Sequence, residues 1–186
     1  LKCSYEDWAD LIGGRVDGMA RLLTICDGRT RIVPGYGPVM TKAQLQAVKG
    51  YVTKAADQVP EEMYSFKPTA DVRSLGQLFG HVADANFMIC SAASGKKPDM
   101  TGIEKSKTSK ADLKAALDAS FAFCEAAFDG LTAASGAEVV KFFLPGTSTR
   151  LSVLTFNTAH DFEHYGNIVT YMRLKGMVPP SSQPAK

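Results

Sequence analysis

Histidine is scarce in this chain and tryptophan nearly absent: three His and one Trp occur among 186 residues. A strong charge excess is missing too, since 21 Lys+Arg face 19 Asp+Glu and leave a net charge of +2. Nucleic-acid binding draws on a basic footprint that neutralises phosphates, and this balance speaks against that class. No segment reaches the run of about 18 apolar residues that a membrane span requires. Four cysteines occur, Cys3, Cys26, Cys90 and Cys124, and no two stand as C-x-x-C, which excludes a zinc ribbon and a thioredoxin-type motif. Cys90 and Cys124 fall in apolar helical runs and read as small buried hydrophobes, a usage that points to a reducing, cytoplasmic compartment. No basic-then-apolar leader opens the chain; Glu6, Asp7 and Asp10 stand there instead. The sequence begins at Leu1 rather than Met, so it reads as a fragment or as the tail of a longer reading frame.

What is present is ordinary material for a globular core: 45% hydrophobic and 22% charged residues, in a length that suits one domain with some extra sequence. From Thr41 onward the pattern is helical. Thr41-Lys-Ala-Gln44 has the capping-box spacing and opens a first helix that Pro60 stops, with Val48, Tyr51, Val52 and Ala55 on its buried stripe. Ser74-Leu-Gly-Gln77 opens a second, carrying Leu75, Leu78, Phe79, Val82, Ala85, Ile89 and Ala92 and ending at Gly95. Ser109-Lys-Ala-Asp112 caps a third, with Leu113, Leu117, Phe121, Cys124 and Phe128 on one face. After a link over residues 133 to 150, a fourth helix runs from about Ser152 to Lys175, stopped by Gly176. Four long amphipathic helices predict an all-α four-helix bundle, and no pair of alternating runs supports a sheet.

Residues 1–40 differ and form a separate N-terminal extension, helical or irregular, ahead of a bundle over 41–186. A run from Trp8 to Cys26 is weakened as a helix by Gly13, Gly14 and Gly18. Thr30-Arg-Ile-Val33 is a lone strand-like run with no partner to satisfy its backbone.

The three histidines fall near the midpoints of two of the predicted helices. His81 lies on the apolar stripe of the second. His160 and His164 lie on the fourth at i, i+4, which stacks both imidazoles on one face. Asn157, Asn167 and Tyr171 share that face. Bundles build metal sites from inward side chains of facing helices, and unpaired polar groups there are costly. One His from the second helix and an H-x-x-x-H pair from the fourth supply three nitrogen ligands. For zinc, three protein ligands and an open position is the catalytic pattern. His160-Asp-Phe-Glu-His164 is not H-E-x-x-H: a protease of that type needs Glu directly after the first His, and Asp161 stands there.

Gly80-His81-Val-Ala-Asp-Ala-Asn86, and Asn157-Thr-Ala-His-Asp-Phe-Glu-His-Tyr-Gly-Asn167 followed by Tyr171-Met-Arg-Leu-Lys-Gly176, resemble the DinB family of damage-inducible-type proteins over residues 41–184. The resemblance implies an up-down-down-up four-helix bundle and a divalent metal, zinc or nickel, held by His81, His160 and His164. It also implies a homodimer, and a small-molecule reaction that uses a low-molecular-weight thiol as cosubstrate, as in bacillithiol-dependent transferases and mycothiol-dependent isomerases. Thr30-Arg-Ile-Val-Pro-Gly-Tyr-Gly-Pro-Val-Met-Thr-Lys-Ala-Gln-Leu45 is similar to the C-terminal part of metallo-β-lactamase-fold hydrolases. There the turn reads Pro-Gly-His-Gly-Pro with a metal-ligating His; here Tyr36 replaces it and the H-x-H-x-D-H cluster is absent. The segment therefore reads as a truncated, non-catalytic remnant, fused to the bundle or lying upstream of a start at Met40.

The expected chemistry is a metal acting as Lewis acid on a bound water or thiol in a transferase or hydrolase. Asn157, Asn167 and Tyr171 are candidates for orienting ligands or substrate, and Asp84, one turn after His81, for fixing that ring's tautomer. The competing reading is a non-catalytic metal-binding or dimerisation module; a bundle that has lost its metal and only packs is a third. Lys96, Lys97, Lys105, Lys107 and Lys110, interleaved with Asp99 and Glu104, read as a solvated loop rather than a nucleic-acid surface.

Overall fold

In the computed structural model of the chain, residues 42–98, 100–143 and 146–184 are described. The N-terminal extension over 1–40, its strand-like run and the Thr41 cap lie outside them. Four long helices carry the fold: α1 (Lys42–Gln58), α2 (Leu75–Ser94), α4 (Lys110–Asp129) and α6 (Arg150–Leu174), with single-turn helices α3 (Ile103–Ser106) and α5 (Ala133–Gly136) between them. α2 packs on α4 and α6, and α1 packs on the same two, so the consecutive helices α1 and α2 lie across the bundle from each other.

Local chemistry sets these boundaries. Ser74 and Gln77 close a capping box at the start of α2, and Gly95 ends that helix at a φ of +73°, a left-handed position that suits a residue without Cβ. The exit of α1 is capped from elsewhere: Lys110 Nζ donates to the carbonyls of Asp57 and Val59 at 2.8 and 2.6 Å. α6 begins two residues before the expected Ser152. Thr149 is its cap, and Ser152 is the partner that closes the box. Thirteen of the twenty residues of α2 are buried, which makes it the most enclosed helix. Its Phe79, Val82 and Ile89 meet Leu113, Leu117 and Phe121 of α4 and Leu154, Ile168 and Met172 of α6 in one core.

Two expectations need correction. The 133–150 link contains a short antiparallel pairing, Val139 with Thr149 and Val140 with Ser148. Two residues per strand are too few to display the alternation from which a strand is read. Cys90 and Cys124 are joined as a disulfide, with Cα atoms 5.3 Å apart. Both are fully buried on facing helices, so the apolar setting that made each resemble a small hydrophobe is also what brings the pair within bridging distance. Among the described residues no helix is long and apolar enough to cross a membrane.

Candidate metal centre

α2 and α6 place the three histidines side by side. One ring nitrogen from each of His81, His160 and His164 lies within 4.8 Å of the other two. The Nε2 atoms of His160 and His164 face each other at 3.0 Å, and the His81 ring stands 4.6 Å from that of His164 and 5.4 Å from that of His160, centre to centre. Among the described residues no Cys, Asp or Glu joins the group as a fourth ligand.

His81 is oriented by Glu104. Its Nδ1 meets Glu104 Oε2 at 3.1 Å, so with Nδ1 as donor the lone pair is left on Nε2. Glu104 is itself held by Arg73, whose Nε donates to Oε1 at 2.8 Å. Burial works against the charged form of this carboxyl, but the hydrogen bonds and charges of Arg73 and His81 outweigh it and hold it below the usual carboxylate range. Asp84 does not reach the His81 ring. Its carboxylate accepts the backbone N–H groups of Ile103 and Glu104 at 2.9 and 2.8 Å, and so pins the turn that carries Glu104. Gly80 makes that approach feasible, because a Cβ there would stand 2.7 Å from Glu104 Cα.

The expected companions of the histidines separate in the structure. Asn167 stays near, with Nδ2 3.5 Å from His164 Nδ1. Asn157 turns into the core, where it meets the Asn86 amide and donates to Asp161 Oδ2 at 3.2 Å. Tyr171 donates to the Arg73 carbonyl at 2.7 Å and packs edge-on against Phe66. Glu104 and Arg73 lie outside the quoted motifs, Glu104 on a one-turn helix and Arg73 just ahead of the α2 cap, so helical spacing does not point to either. One signal did exist: Gly80 in mid-helix, where glycine costs about 1 kcal/mol relative to alanine, is a mark of a closely approaching backbone. On the other flank, His160 lies 6.2 Å from Phe156, which Phe142 and Phe143 adjoin at 5.5 and 5.9 Å.

Burial, then the neighbouring His164, His81 and Arg73, lower His160 to a pKa of about 4. Burial, then His81, lowers His164 in the same direction. Both imidazoles are therefore neutral near pH 7, the form that binds metals. His160 Nδ1 is buried and has no hydrogen-bond partner. Neutral rings, converging Nε2 atoms and a carboxylate behind one ring suit a divalent ion of borderline softness.

The model of the DinB superfamily matches residues 44–168. The chain belongs to that superfamily. Among solved structures it is similar to a DinB-like protein from Bacillus cereus ATCC 10987, at 18% identity and a TM-score of 0.64, covering 75% of this chain and 95% of the other. It is also similar to a DinB-like protein from Bacillus subtilis (17%, TM-score 0.62, covering 78% and 98%) and to a conserved protein from Enterococcus faecalis (19%, 0.61, covering 72% and 93%). At these identities the likeness concerns the fold. Comparison with the curated proteins gives no match.

Proposed function

We propose that the protein binds one divalent metal ion, zinc or nickel, through His81, His160 and His164, and uses it in a transferase- or hydrolase-type reaction on a small molecule. The observation that carries this reading is the convergence of three ring nitrogens within 4.8 Å without a fourth protein ligand among the described residues. A structural site would be closed by that ligand, whereas an open one admits water or substrate. The metal would supply Lewis acidity, lowering the pKa of a bound water or thiol. Glu104 and Arg73 would keep His81 Nε2 directed at the site, and Asn167 would steady His164. A low-molecular-weight thiol as cosubstrate and a homodimeric assembly are part of the reading by family resemblance alone.

The alternative is a non-catalytic metal-binding or dimerisation module. An exchangeable ligand on the bound ion separates the two. Two buried free thiols would point to a reducing, cytoplasmic compartment, and the Cys90–Cys124 disulfide removes that support. We keep residues 1–40 as a non-catalytic extension distinct from the bundle.

The test is elemental analysis of untagged protein purified without a nickel column. Wild type is expected to carry close to one equivalent of divalent metal, and His160→Ala less than about a tenth of it after dialysis. Equal metal content in the two proteins sinks the site.

A further inference from the structure

The basic connection that reads as a uniform solvated loop divides in the structure. Lys110 is committed to capping α1. Lys105 and Lys107 instead join Lys67 around a cavity of about 510 Å3 beside the first turn of α2. Glu104 is the sole carboxylate in its wall, and both its oxygens are engaged, Oε1 by Arg73 and Oε2 by His81. None of the three lysines has an ion-pair partner among the described residues. Lys67 and Lys105 are exposed and Lys107 is partly so, and the three line one space with no free counter-charge, a setting that attracts an anion. Thr108 and Ser74 line the same space. Ser74 Oγ accepts from the Gln77 N–H, which leaves its own proton to donate. The positive end of the twenty-residue α2 forms part of the wall.

We propose that this cavity binds the phosphate group of a phosphorylated small molecule, with Lys67, Lys105 and Lys107 as its cations. Compact ammonium groups approached from several sides suit a tetrahedral dianion, whereas a planar carboxylate is better served by an arginine fork, and no arginine lines the cavity. The volume falls within the range of small-molecule pockets. Glu104 both lines the cavity and meets His81 Nδ1 at 3.1 Å, so a bound phosphate would lie behind that ring, away from its Nε2. Recognition of the phosphate does not depend on the metal reading.

The test is titration of the full chain, 15N-labelled and followed by amide NMR at fixed ionic strength, with phenyl phosphate, inorganic phosphate and benzoate. Phenyl phosphate and inorganic phosphate are expected to give saturable shifts concentrated in residues 74–77 and 104–108. Benzoate should bind at least tenfold more weakly. Lys105→Gln combined with Lys107→Gln should weaken phosphate binding at least tenfold while thermal stability stays unchanged. Equal binding of benzoate overturns the assignment, as do linear shifts spread over all lysines or a double variant that binds like wild type. The titration is run on EDTA-treated and zinc-loaded protein. Binding that persists without metal supports the cavity, and binding that vanishes with it overturns the proposal by moving the anion to the histidines.

Discussion

Two faces of α6, one residue apart in sequence, treat buried polar groups in opposite ways. On one, Asn157 and Asp161 are fully buried and close on Asn86, which in turn meets Ser120, at 2.8–3.2 Å. With its amide turned so that the nitrogen faces α6, Asn86 donates to Asn157 Oδ1 and Asp161 Oδ1 at 3.2 and 3.1 Å and accepts from Ser120 Oγ at 3.2 Å. Burial works against the charged form of the Asp161 carboxyl and raises its pKa well above the ordinary value. On the other face, His160 and His164 point at each other and at His81, and His160 Nδ1 has no partner. A polar set that satisfies itself has the signature of structure, holding α2, α4 and α6 in one register. A polar set whose ring nitrogens converge on one point has the signature of a binding site.

The sharpest way to break this comparison is to remove one member of each set. Asn157→Leu deletes the amide that joins α6 to Asn86 and leaves Asp161 and Asn86 short of partners. Unsatisfied buried groups cost about 1–3 kcal/mol each, so a loss of roughly 3 kcal/mol in urea unfolding is expected. Metal bound per folded molecule should stay at the wild-type level. His160→Ala should show the reverse pattern, with metal lost and the metal-free protein nearly as stable as wild type. If Asn157→Leu empties the metal site while leaving stability intact, the division of α6 into a structural and a binding face is wrong.

The sequence shows the first part of this picture and hides the second. The helices are legible because their stripes and caps are local: Ser74 with Gln77 and Ser109 with Asp112 behave as their spacing predicts. The three histidines are legible because nothing else in the chain uses that residue. Helical spacing alone does not say which of several polar residues on one helix turns inward to bond and which turns toward an opening, so Asn157 and Tyr171 were grouped with the histidines. Glu104 was hidden for a different reason. It reaches His81 through a one-turn helix pinned by Asp84, a contact 23 residues apart in sequence that no periodicity encodes. The disulfide was hidden because burial and pairing leave the same apolar trace.

Gly80→Ala tests whether that hidden contact is built into the backbone. The new methyl would collide with Glu104 Cα and N, at 2.7 and 3.0 Å, and these are backbone atoms that cannot simply rotate away. Overpacking of this kind costs about 1–3 kcal/mol. Chemical denaturation should read that loss, and metal affinity should fall with it as the turn carrying Glu104 moves off His81. Unchanged stability would mean that α3 is free to shift and does not clamp the site.

Acid should separate the two faces as well. In the metal-free protein His160 titrates near pH 4, against about 6.5 for an unfolded imidazole. Between those values the unfolded chain binds more protons than the folded one, so this histidine's contribution is present above pH 6.5 and is lost as the pH falls toward 4. Urea midpoints at pH 7.5 and 5 should drop more for wild type than for His160→Ala. Identical drops in the two would place the acid sensitivity elsewhere.

The smallest effect expected is that of Glu104→Gln, which keeps the shape of the side chain and removes its charge. The new amide can still accept from His81 Nδ1, so the ring keeps its direction. What disappears is the negative charge that makes this imidazole a better donor and that holds Arg73 in place. Removing such a carboxylate behind a ligating histidine lowers metal affinity by about tenfold or more. The Arg73 pair is partly exposed, so folding stability should change by less than about 1 kcal/mol. Competition with a chelator measures the first quantity and thermal unfolding of metal-free protein the second. A tenfold loss of affinity at constant stability would place Glu104 on the binding side of the comparison, whereas a loss of stability at constant affinity would move it to the structural side with Asn157 and Asp161.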